Sequence, residues 1–160
     1  MKVNKVHPYF AFLSREMLPA FGCTEPFALA YAACEARAVL DAEPVRILVR
    51  CSGNLIKNAK SVLVPNANGR RGIAISAALG AMCLEPERKL QVLEHITPEQ
   101  RKRAENLVDQ GACRVEHDVE REGLYLSLTL WDAAEHSARV VLSGEHTNIV
   151  RKERDGAVLY

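Results

Sequence analysis

The chain has 160 residues, 48% of them hydrophobic and 26% charged, with a net charge of +1. That length supports one domain with its own core, and the near-neutral balance excludes the basic excess that nucleic-acid binding requires. No run reaches the ~18 uninterrupted apolar residues of a membrane span, and His7, Arg15 and Glu16 break any leader-like stretch behind the basic start, so a cytoplasmic protein is expected.

In chain order, a first helix is expected over 8–18, with Phe10, Leu13 and Met17 on one face and Pro19 as its stop. Gly22-Cys23-Thr24-Glu25-Pro26 reads as a helix entry in which Thr24 caps and Pro26 fits the first turn. The helix that follows runs to about Leu40 and is apolar or alanine on several faces, which predicts burial. Residues 45–51 read as a strand, and Ser52-Gly53-Asn54 opens a short helix through Ala59. Residues 62–64 are a brief extended piece, and 65–69 a turn or loop. A second alanine-rich helix is expected over 72–82, its small residues permitting close packing, and an amphipathic one over 87–96. Thr97-Pro98-Glu99-Gln100 is a strong helix start, and Gly111 a left-handed stop.

The remainder alternates. Strands are expected at 114–119, 124–131, 139–142, 147–151 and 157–160. Short connections favour an antiparallel meander. The fold class is therefore α+β, with alanine-rich helices packed on a mainly antiparallel sheet. The apolar end Leu159-Tyr160 predicts a polypeptide cut or split at this point.

Five cysteines (Cys23, Cys34, Cys51, Cys83, Cys113) form an odd set without a C-x-x-C pair, a poor disulfide framework and a poor self-contained zinc site. Cys23 precedes a helix start, where the free N–H groups and the dipole favour a thiolate for nucleophilic work or metal ligation. The alternative is a small buried residue, the reading that also suits Cys34, Cys83 and Cys113, while Cys51 ends a strand where a loop meets a helix. Ser52, Asn54, Lys57 and Asn58 form a polar cluster beside a helix start, suited either to a carboxylate ligand or to plain capping. The loop 65–72, with Arg70 and Arg71, offers a second place for an anion, but it does not match a nucleotide-binding loop. His146 lies at a turn before a strand, as an acid or base or as a satisfied turn residue.

Five motifs occur in order: Gly22-Cys23-Thr24-Glu25-Pro26, Ser52-Gly53-Asn54-Leu55-Ile56-Lys57-Asn58, Val64-Pro65-Asn66 through Gly72, Ala77-Ala78-Leu79-Gly80-Ala81 and His146-Thr147-Asn148-Ile149-Val150. Together they make the chain resemble the L-cysteine desulfidase family, also described as serine dehydratase alpha-subunit-like proteins. The resemblance implies a cytoplasmic carbon–sulfur lyase that converts L-cysteine to pyruvate, ammonia and sulfide on a [4Fe–4S] cluster. Three cysteines would hold three irons there, and the fourth iron would act as a Lewis acid.

Carried over by motif, Cys23 is the amino-terminal cluster ligand. Ser52, Asn54, Asn58, Thr24 and Glu25 line the substrate site, and Lys57 and His146 are catalytic helpers. The resemblance also implies that the single domain 1–160 is the amino-terminal part of a longer architecture. The other cluster cysteines would come from a missing carboxy-terminal half or a partner subunit, so this chain alone would not retain the cluster. A homo-oligomer is possible on this reading. The alternatives are an L-serine dehydratase subunit and a non-catalytic module that binds an amino acid or anion.

Overall fold

A computed structural model describes residues 23–160. The expected first helix and Gly22 lie outside the described residues. Helix α1 spans Thr24–Leu40, and its alanines and large apolar side chains are almost all buried, among them Phe27, Leu29 and Leu40. A helix apolar on every side belongs inside the molecule, and each large side chain so buried contributes roughly 1.5–3 kcal/mol. Strand β1 (Arg46–Cys51) leads into the two-turn helix α2 (Gly53–Ala59). Helix α3 (Ile73–Ala81) follows a loop, and helix α4 (Pro98–Asp109) carries the expected capping box between Thr97 and Gln100. The other strands are β2 (Cys113–His117), β3 (Tyr125–Trp131), β4 (Ser137–Ser143), β5 (Ile149–Arg154) and β6 (Ala157–Val158).

The six strands form one sheet in the order β2-β1-β3-β4-β5-β6. The α+β class and the mainly antiparallel sheet hold, but the simple meander is corrected. β1 inserts between β2 and β3 and pairs with β2 in parallel, Val49 opposite Val115. The helical stretch between β1 and β2 supplies the crossover that a parallel pair needs. A second correction concerns 87–96. Only a 3-10 segment forms, Pro86–Gln91, and it is broken at Lys89, whose φ is +49°. Gly111 has φ +72°, the expected left-handed stop.

Helices cover one sheet face. There Ile47, Val49, Leu126, Leu128, Leu130, Val140 and Leu142 meet α1 and α3. α1 and α3 cross at backbone distance, because a Cβ on Gly80 would lie 2.1 Å from the carbonyl oxygen of Ala30. The crossing seats α1 deep in the core and fixes its N-terminus against the end of α2 and the β4–β5 turn. On the opposite face, Tyr125 and Ser127 are also shielded, Tyr125 by the Arg121 guanidinium above its ring and Ser127 by Arg139.

Candidate functional site

The N-terminus of α1 gathers five residues from three separate parts of the sequence: Cys23, Thr24 and Glu25 at the start of α1 itself, Asn58, and His146. Cys23 is the N-cap, with extended backbone and no side-chain cap bond, so the first-turn N–H groups carry no side-chain partner from it. This corrects the expectation that Thr24 caps: Thr24 is already helical. The Cys23 thiol donates to Glu25 Oε2 at 2.7 Å, and Asn58 Nδ2 donates to Glu25 Oε1 at 3.0 Å. His146 reaches in from the β4–β5 turn. Its Nε2 shares a 3.1 Å hydrogen bond with Thr24 Oγ1 and lies 4.0 Å from Glu25 Oε1.

Glu25 is the hub of the cluster. Burial alone would raise its pKa, but the Cys23 thiol, the backbone, Asn58 and the nearby His146 outweigh burial and hold the carboxyl below its ordinary value. Its place in the first turn of α1 also suits an anion. For Cys23 the balance runs the other way. Burial, then the hydrogen bond and charge of Glu25, push the thiol up, so at neutral pH it is a protonated donor rather than a thiolate. Burial of the sulfur and the carboxylate two residues on thus override the helix dipole that favours a thiolate at this position.

Of the expected site residues, Cys23, Thr24, Glu25, Asn58 and His146 come together. Ser52, Asn54 and Lys57 do not join them. Ser52 is fully buried and serves as the N-cap of α2. Its Oγ donates to the Gly123 carbonyl at 2.6 Å and accepts from the Leu55 N–H at 3.4 Å. Asn54 and Lys57 are exposed, and no hydrogen bond or ion pair among the described residues ties Lys57 to the cluster. Helical geometry explains the split. Leu55 and Ala59 form the buried stripe of α2, with Asn58 on its border and Lys57 on the far side.

The loop 65–72 is not an anion cradle. Arg70 is bound two-pronged to Asp109, at 2.6 and 2.8 Å, Arg71 donates to the Ser61 carbonyl, and Asn66 donates to the Leu93 carbonyl. Cys34, Cys51 and Cys83 are buried, as free thiols that behave as small hydrophobic residues are, and Cys113 is half-buried. Burial pushes the Cys51 thiol up to about 11 and that of Cys113 up to about 12. Among the described residues no three His, Cys, Asp or Glu side chains are grouped as a metal site, and no described helix is long and apolar enough to cross a membrane.

No protein-family model matches the chain. Among known proteins it is 44% identical over 152 residues to a UPF0597 protein of Oleidesulfovibrio alaskensis, covering 95% of this chain and 35% of that one. A UPF0597 protein of Shewanella sp. (strain MR-7) is 41% identical over the same 152 residues, again 35% of its length. One from Finegoldia magna is 37% identical over 152 residues, 36% of its length. These relatives correct the resemblance drawn from the motifs. Proteins this similar over nearly the whole chain carry the UPF0597 name, which assigns no activity, and not that of the cysteine desulfidase or serine dehydratase family. Short motifs of small and polar residues, read in order, had suggested that family because helix entries and tight packing use the same residue types. Over almost all of its own length, the chain is thus similar to UPF0597 proteins, and it spans about a third of theirs.

Proposed function

We propose that this chain supplies one wall of the active site of a lyase that eliminates hydrosulfide from L-cysteine. The observation that carries this reading is the meeting at the N-terminus of α1 of Glu25, hydrogen-bonded to Cys23 and Asn58, with His146, hydrogen-bonded to Thr24 and 4.0 Å from the Glu25 carboxylate. An amino-acid zwitterion needs an anion for its ammonium group and N–H donors for its carboxylate. Glu25, held ionised, suits the first, and the first-turn N–H groups of α1 suit the second. Asn58 fixes the carboxylate of Glu25, so that an incoming ammonium meets a preset acceptor.

His146, its side chain 35% exposed, is the member of the group best able to exchange a proton with a bound molecule. In the proposed reaction its ring takes the α-proton. The C–H electron pair becomes the new C=C bond, the C–S bond breaks, and hydrosulfide leaves with its electron pair. The aminoacrylate so formed hydrolyses in water to pyruvate and ammonia. Thr24, bonded to the same ring, orients it.

The donors gathered at the N-terminus of α1 do not by themselves fit a [4Fe–4S] cluster. Such a cluster takes three or four thiolates, whereas the group holds one thiol, protonated towards Glu25. Further ligands would have to come from outside the described residues.

Isothermal titration of the chain with L-cysteine and with L-serine tests the site. Saturable binding of L-cysteine, weakened about tenfold or more in Glu25→Gln and unchanged in Lys57→Ala, is the expected result. Equal binding by wild type and Glu25→Gln, or no saturable binding of either amino acid, contradicts it.

A further inference from the structure

The sheet face that no described helix covers holds a cavity of about 420 Å³ lined by Arg121, Tyr125, Arg139, Val141, Ser143 and Arg151. That volume is within the range of small-ligand sites. Three guanidinium groups border it, and only one acid among the described residues pairs with any of them. That acid is Glu153, which is 8% exposed and serves both Arg139 and Arg151. Arg121 has no carboxylate and rests on the Tyr125 ring, 4.8 Å from its centre. One carboxylate against three guanidinium groups leaves two positive charges uncompensated around the cavity.

The three arginines are not equally occupied. Arg139 gives its Nε to Ser127 at 2.8 Å and an Nη1 to Glu153 at 3.4 Å, so it is anchored. Arg151 gives its Nε to Glu153 and has no partner for its terminal nitrogens among the described residues, and the whole guanidinium of Arg121 is without an acceptor there. A guanidinium presents its N–H donors in a planar fork that matches carboxylate and phosphate oxygens. Two such forks stand ready beside a third that is locked in place, with the Ser143 hydroxyl on the same wall.

We infer that the cavity bounded by Arg121, Arg139 and Arg151 is a binding site for a small anion bearing two or more negative charges on carboxylate or phosphate oxygens. It lies on the opposite face of the sheet from α1, so the inference stands independently of the lyase reading.

Titrating the chain separately with inorganic phosphate and with citrate, at low ionic strength, tests the site and distinguishes the two sources of anionic oxygen. Saturable binding of at least one is expected, with Arg121→Gln and Arg151→Gln each weakening it about tenfold. Arg46→Gln, on the same sheet face but paired with Glu135, should leave it unchanged. Amide shifts in a titration followed by NMR should concentrate at Val141, Ser143 and Val150. No saturation by either anion up to about 10 mM, or equal weakening by Arg46→Gln, overturns the assignment. So do amide shifts spread over the whole surface.

Discussion

The Cys23 thiol donates its proton to the Glu25 carboxylate across 2.7 Å, tying the N-cap of α1 to its own first turn. Burial first and this bond second hold the sulfur protonated. Replacing Glu25 with Gln removes the negative charge and the carboxylate acceptor but leaves the burial. The pH midpoint for iodoacetamide alkylation of Cys23, followed by peptide mass spectrometry, is therefore expected to fall in Glu25→Gln. An unchanged or higher midpoint would show that Glu25 does not control the thiol.

Acid stability follows from the other partner. The folded-state pKa of Glu25 lies below its ordinary value of 4.5. A group depressed in the folded state contributes stability above its unfolded pKa, and that contribution is lost as pH falls through the folded value. The difference in urea midpoint between wild type and Glu25→Gln should be largest near neutrality and should shrink as pH falls below about 4.5. A difference that stays constant from neutral to acid pH would mean that the carboxylate is not held by Cys23, Asn58 and His146.

Alkaline stability has the opposite sign. The Cys51 thiol is fully buried and pushed up to about 11 from an ordinary 9.0. Its neutral form is favoured by folding, so the contribution is complete below pH 9 and is lost as pH rises towards 11. Cys51→Ala should flatten the fall in stability over that interval, measured by urea unfolding at several pH values. An identical fall in the variant would assign the alkaline limb to other groups, such as Tyr31, whose burial and the neighbouring Glu35 also push it up.

The α1–α3 crossing makes Gly80 the most tightly enclosed glycine among the described residues. An added methyl there would meet the Ala30 backbone at 2.1 to 2.6 Å, and backbone cannot swing aside as a side chain does. Gly80→Ala is expected to cost about 3 kcal/mol or more, or to prevent folding. Gly69→Ala, at φ +81° with nothing within 4 Å, should cost about 1–2 kcal/mol, for the left-handed backbone alone. Urea unfolding of the two variants side by side checks the order, and a smaller loss for Gly80→Ala would contradict the crossing.

Local signals were legible in the sequence where the physics is local. The Thr97–Gln100 capping box, the Gly111 stop and the strand positions all follow from neighbours a few residues apart. The placement of β1 beside β2 was not, because parallel pairing depends on a crossover built from three helices. The amphipathic pattern at 87–96 failed as a helix because the backbone reverses at Lys89, with φ +49°. In the site, sequence named Glu25, Asn58 and His146 as residue types, but their meeting is tertiary: 33 positions separate Asn58 from Glu25, and 122 separate His146 from Thr24. Ser52 was drawn away by capping, a competing use for the same hydroxyl.

The most direct measurement is anaerobic sulfide and pyruvate release from L-cysteine. The assay would use this chain co-expressed with the part of the Oleidesulfovibrio alaskensis relative that lies outside the matched 152 residues. Equimolar sulfide and pyruvate are predicted, with the rate falling about 10²–10⁴-fold in His146→Ala and binding of L-cysteine weakened in Glu25→Gln. A folded complex that releases neither product, or one in which His146→Ala keeps the full rate, would contradict the assignment of this cluster to L-cysteine cleavage.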